Sequence, residues 1–181
     1  MRKISGFQIA NLLFWTALIL LNVFYFKPII NDKYLLADVL IFKSESWKYS
    51  VVVFFVIVIL VLGYGYKTYK EKLKIFNVCL LVLLSLFLSY LLKNITDNFL
   101  LFLNSKSEAK EVVVVYKVIE NKENKVFSLY DNKNFINSEN QLNKINKYRN
   151  DNKIKSVFEY KNNDTIHVAF NKGLFGVNFM K

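Results

Sequence analysis

One cysteine, one histidine, one proline and five glycines occur among 181 residues, and only two of the 25 basic residues, Arg2 and Arg149, are arginine. The lone Cys79 excludes an intramolecular disulfide, so any water-exposed part of the chain must hold itself together by packing. Cys79 lies inside an apolar run, and its thiol reads as a small apolar filler. A single imidazole, His167, with no cysteine near it offers no zinc ligand set and leaves no Ser/His/Asp arrangement to assign. No glycine-rich phosphate loop occurs, because Gly63-Tyr64-Gly65 closes an apolar run instead of joining a strand to a helix. Arg149 and His167 are too distant in sequence to form a local nuclease motif, and carboxylates stand singly among lysines. Neither catalysis nor a cofactor or metal is expected.

The net charge of +11 would suit a nucleic-acid partner if arginine forks clustered on one face. Instead the charge is almost entirely lysine spread along the chain, and asparagine is abundant, a pattern closer to the codon bias of an AT-rich genome. No nucleic-acid partner is expected. Residues 1–110 carry 13 basic against 6 acidic groups and residues 111–181 carry 12 against 8, so the excess is concentrated in the first part.

What is present in quantity is apolar sequence. Residues 8–26, 49–66 and 75–92 contain no Asp, Glu, Lys or Arg, and lysine flanks each stretch. At ~1.5 Å rise per residue, a helix of about 18 residues reaches about 27 Å, close to the ~30 Å hydrocarbon core of a bilayer. The lipid bilayer is thus the first expected partner. The predicted organisation is a three-helix transmembrane region over 1–110, followed by a small α+β extracytoplasmic domain over 111–181. The first run is too long for a cleaved leader and no small-x-small site follows it, so it reads as an uncleaved signal anchor.

Basic residues set the expected orientation, since positive charge beside a span resists translocation. The amino-terminal seven residues and the 67–74 connection carry six basic groups in 15 residues, against seven in 40 for segments 27–48 and 93–110. This places the amino terminus in the cytoplasm and the carboxy-terminal domain outside a bacterial cytoplasmic (inner) membrane. Trp47 and Tyr49 at one end of the second run, with Tyr64, Tyr66 and Tyr69 at the other, mark the two water boundaries.

Polar positions interrupt the apolar runs on one side. At 100° per residue Asn11, Trp15, Leu18 and Asn22 share a narrow arc with Gln8 at its edge, and amides in lipid need partners such as Asn77, Ser85 or Ser89 of the third run. These residues form a candidate intramembrane polar seam, either a packing interface or the lining of a path in a homo-oligomer. No Asp, Glu, Lys, Arg or His lies within the runs, so they offer no candidate for a proton relay or a coupling-ion carboxylate, and a driven secondary transporter is not expected. Between the first two runs, Asp32 is a predicted N-cap for a short helix near 32–43, with Leu35, Leu36, Val39 and Phe42 at helical spacing, lying at the outer membrane surface. Ile95, Phe99, Phe102 and Leu103 extend the third helix into a juxtamembrane stalk over 93–110.

From Glu111 onward the pattern is β-rich. Residues 112–119 read as a central strand and 125–130 as a second strand, with polar turns at 121–124 and 131–134. Ser138 and Gln141 form a helix-start pattern leading to Leu142, Ile145 and Tyr148 on one face, with an end near Asn150. Segments 153–161 and 165–171 then read as a hairpin across Asn162-Asn163-Asp164, with Ile166, Val168 and Phe170 inward and His167 outward. An antiparallel sheet of four to five strands with one helix is expected, too small and polar for a deep substrate cavity. Gly173 and Gly176 break the last strand, and Leu174 and Phe175 between them are expected to fold back on the core. Their alternative use, as an exposed contact, makes Gly173, Leu174, Phe175 and Gly176 a candidate docking turn. The expected role is a membrane-anchored accessory or immunity-type protein whose outer module binds or regulates a protein partner. The alternative is a homo-oligomeric channel or membrane-perturbing effector, for example in a defence system.

Overall fold

The computed structural model of the chain describes residues 6–69, 75–107, 110–121, 126–131 and 134–180. The basic residues expected at 1–5, the lysines at 70, 72 and 74, and most of the turns expected at 121–124 and 131–134 lie outside the described residues. Helices come first: α1 (Gly6–Leu21), a π-helical turn (Asn22–Phe26), α2 (Lys27–Lys33), α3 (Leu36–Glu45), α4 (Trp47–Tyr69) and α5 (Ile75–Lys106). They are followed by β1 (Lys110–Asn121), β2 (Val126–Tyr130), β3 (Phe135–Ile136), α6 (Glu139–Asp151), a 3₁₀ turn (Val157–Glu159), β4 (Thr165–Lys172) and β5 (Asn178–Phe179).

Three helical segments, Gln8–Lys33, Trp47–Lys67 and Ile75–Lys106, are long and apolar enough to cross a membrane. Between 6% and 11% of the most apolar window of each is buried, so most of their apolar side chains are left without full protein cover. The first segment continues past the expected limit at Phe26, because Pro28 falls in the first turn of α2. A proline there needs no amide hydrogen and its fixed φ suits a helix. Asp32 is therefore inside α2 and is not the predicted N-cap. Tyr34 turns extended, and α3 begins at Leu36.

The chain divides into two compact units, one of residues up to Asn22 together with Lys43–Phe99, the other of Val23–Phe42 together with Leu100–Lys181. In the second unit all five strands are antiparallel, in the order β3-β2-β1-β4-β5. Even-numbered residues of β1 turn inward: Tyr116 lies opposite Ile166 and Val118 opposite Leu129, and all four are at most 1% exposed. Leu142 and Ile145 of α6, Val157, Phe170 and Met180 close the same core, as does Leu35 just before α3.

The strand expected over 153–161 does not form. The buried guanidinium of Arg149 donates through Nε to the Lys155 carbonyl, and the Asn146 side chain accepts from the Val157 amide, so this backbone is committed to α6 and not to a sheet partner. Ser156 and Glu159 then form a capping box around the 3₁₀ turn. The predicted hairpin is replaced by a turn in which Val118 and the 163–164 segment exchange backbone hydrogen bonds of 2.8 and 2.9 Å, with Asn163 at φ 71°. The remaining strands are β3 and β5, each of two residues.

Candidate functional site

The 173–176 turn sits on the end of α5, and both belong to the second unit. Asn104 is fully buried and uses its whole amide: Nδ2 donates to Tyr34 Oη at 3.0 Å and to the Val177 carbonyl at 3.0 Å, while Oδ1 accepts from the Phe175 amide at 2.8 Å. Ser107 Oγ accepts from the Leu174 amide at 2.9 Å and donates to the Asn104 carbonyl at 2.8 Å. Tyr34 completes the clamp, donating to the Leu101 carbonyl at 2.7 Å, and burial pushes its phenol up to about 12. These bonds hold the turn through its backbone, so its side chains are not needed to fix it.

Each glycine has its own reason. A Cβ at Gly173 would collide with the Asn104 backbone carbonyl oxygen, so only a glycine fits there. Gly176 has φ +75°, in the left-handed region that lacks a steric cost only without a side chain. The expected fold-back is realised in part: Phe175 is half-buried with its ring 6.3 Å from that of Phe42, whereas Leu174 is 72% exposed at the tip. A branched apolar side chain is thus presented to the surroundings on a rigid frame.

Beside α6 lies a cleft of about 280 Å³ bordered by Ile30, Tyr34, Val39, Ser138, Gln141 and Lys144. Ser138 occupies the N-cap position, but its side chain makes no cap hydrogen bond, and Gln141 donates its amide to the Ser138 carbonyl instead. The half-buried Lys144 ammonium reaches the Tyr34 carbonyl at 3.3 Å; burial lowers its pKa against the upward pull of Asp32. Asp38 is the other perturbed group, raised to about 6 by burial and secondarily by the Asp131 charge. Among the described residues no group of three His, Cys, Asp or Glu side chains converges to hold a metal. His167 is exposed on the outer sheet face as its alternation requires, and Arg149 donates to its backbone carbonyl at 2.8 Å, leaving the imidazole outside that bond.

The residues of the polar seam belong to the first unit, where Asn22, Ser85 and Ser89 bond to groups outside the seam. Gln8, Asn11 and Asn77 are exposed. Asn22 is buried and accepts from Asn98 Nδ2 at 2.8 Å, a partner beyond the expected end of the third run. Ser85 donates to the Leu81 carbonyl of its own helix, and Ser89 donates to the Ser50 carbonyl of α4 at 3.1 Å. The sequence reading missed the network at Lys93, whose ammonium donates to Asp97 Oδ2 at 2.6 Å, Ser46 Oγ at 2.8 Å and the Lys43 carbonyl at 2.9 Å. Only the i,i+4 spacing of Lys93 and Asp97 signalled it.

No protein-family profile, curated protein or solved structure matches the chain.

Proposed function

We propose that the chain is a small integral membrane protein of the bacterial cytoplasmic membrane, with its amino terminus inside, that anchors an extracytoplasmic, non-catalytic unit binding a protein partner. The membrane reading rests on three long helices whose apolar side chains are mostly without full protein cover, a surface that water would not tolerate on a monomer. The orientation rests on the lysines of segment 67–74, which resist translocation. Burial of Asn22 against Asn98 within one copy favours an anchoring bundle over a channel lined by the same amide.

The observation that carries the docking role is Leu174, uncovered on a turn whose backbone is fixed by Asn104 and Ser107. A preorganised apolar tip loses little entropy on binding, which is the property a recognition turn needs. The test is a photocrosslinking side chain at Leu174 of the full chain in its native membrane, with the exposed Lys161 as control. A discrete adduct with a second protein, specific to Leu174, is the expected result. Adducts shared by both positions, or with lipid alone, would contradict the proposal.

A further inference from the structure

Among the described residues, the β1–β4 part of the sheet is packed on one face and open on the other. α6 and the Leu35 region pack on the inner side, while odd-numbered β1 residues point away from the core: Val113 is 54% exposed, Val115 48% and Ile119 38%. The β4 residues beside them on this face are Ala169 opposite Val113 and His167 opposite Val115. Both edges of the sheet are two-residue strands, which gives little ladder to an added strand. The open face is therefore the larger unpaired surface of the sheet.

Its charges run in one direction. Along β1 the outward sequence runs Glu111, Val113, Val115, Lys117, Ile119, so that an acid and a base flank the two valines. The neighbours of these charges, Asn171 opposite Glu111 and Thr165 and Tyr130 opposite Lys117, are uncharged. Glu111 and Lys117 have no ion pair among the described residues. A pattern of this kind is complementary to itself under a two-fold rotation. With the axis between Val113 and Val115 and the strands antiparallel, Glu111 of each copy meets Lys117 of the other, and the valines meet at the centre. A parallel arrangement would instead set Glu111 on Glu111.

We infer that the outer face of β1 and β4 binds a second copy of this chain in an antiparallel, face-to-face pair, joined by two Glu111–Lys117 contacts around a Val113–Val115 centre. At ~3.4 Å per residue and ~4.8 Å between strands, the patch over β1 and β4 offers on the order of 200 Å² per copy. That is about a quarter of what a stable complex in solution buries per partner, so the pairing depends on confinement of anchored copies to one surface. The inference goes beyond the proposed docking role and does not use the 173–176 turn.

The test is energy transfer between labelled full-length copies in proteoliposomes at fixed protein density. Wild type is expected to pair. Glu111→Lys alone or Lys117→Glu alone sets like charges together at both contacts and should weaken pairing by about tenfold. Combined, the two substitutions restore it, and the doubly exchanged chain pairs with itself but not with wild type. Both positions are exposed, so the variants retain the fold. A wild type that stays monomeric, single exchanges without effect, or a double exchange that fails to recover would each overturn the inference, as would an Leu174→Asp chain that no longer pairs.

Discussion

Asn104 shows how one side chain sets the conformation of a distant turn. Its amide has two donors and an acceptor, all engaged, so the segment from Gly173 to Val177 has a single register on the end of α5. Gly173→Ala should destabilise the second unit by about 2 kcal/mol or more, because the added methyl meets backbone and not a flexible chain end. Gly176→Ala should cost about 1–2 kcal/mol from its left-handed φ, and Leu174→Ala should fall within about 0.5 kcal/mol, as an exposed position does. Denaturant unfolding of the full chain in detergent, followed by Tyr and Trp signals, ranks the three. Asp38 gives a second test at this scale. Its carboxyl is raised from 3.8 to about 6, so the native state binds the proton more tightly than the unfolded chain. Stability from this group is complete below about pH 4 and is lost as pH rises through about 6. Asp38→Asn should match wild type in melting temperature near pH 4 and exceed it above pH 6, a gain on the order of 2 kcal/mol after allowance for its partial exposure.

At the scale of elements, legibility followed the type of signal. The long apolar runs, the β-branched run of β1, the alternation of β4 and the i,i+3 spacing of Leu142 and Ile145 were each written in local periodicity, and helix or strand formed where expected. The failures have a common cause, namely that the deciding groups were distant in sequence. The 153–161 segment has strand composition, yet Arg149 and Asn146 of α6 take its backbone. In α5 the expected stripe of Ile95, Phe99, Phe102 and Leu103 is covered only in part, with Phe99 and Leu103 exposed and Ile95 and Phe102 half-buried, while Asp97, Asn98, Leu101, Asn104 and Ser105 are buried, because the amides find partners in Asn22 and Tyr34. A hydropathy pattern cannot forecast a buried polar face whose partners lie about 70 residues away. Of the candidate site, the turn was legible from its glycines and its clamp was not. Helix capping offers the matching prediction. Ser138→Ala should leave stability within about 0.5 kcal/mol, since the hydroxyl makes no cap bond, whereas Ser156→Ala should cost about 1 kcal/mol through loss of its bond from the Phe158 amide. Chemical denaturation of the two variants in parallel decides the matter.

At the scale of the molecule, two kinds of surface coexist in one short chain. The first unit turns apolar side chains outward along α1, α4 and α5, with Leu12 and Ile59 at 69% exposure and Ile75 at 83%. The second unit gathers Tyr116, Val118, Leu129, Ile145, Ile166 and Val168 in one buried core and presents lysine and asparagine outside, together with apolar groups such as Phe24, Leu40 and the Val113–Val115 face. Such a division is what two solvents impose, hydrocarbon on one part and water on the other. The account stands on three crossings that leave the sheet on the far side of the membrane. Labelling of intact cells with a membrane-impermeant maleimide tests this directly, using a cysteine at the exposed Lys161 in a Cys79→Ser background. The account predicts full modification of Lys161→Cys without permeabilisation; modification that appears only after the membrane is opened would contradict it.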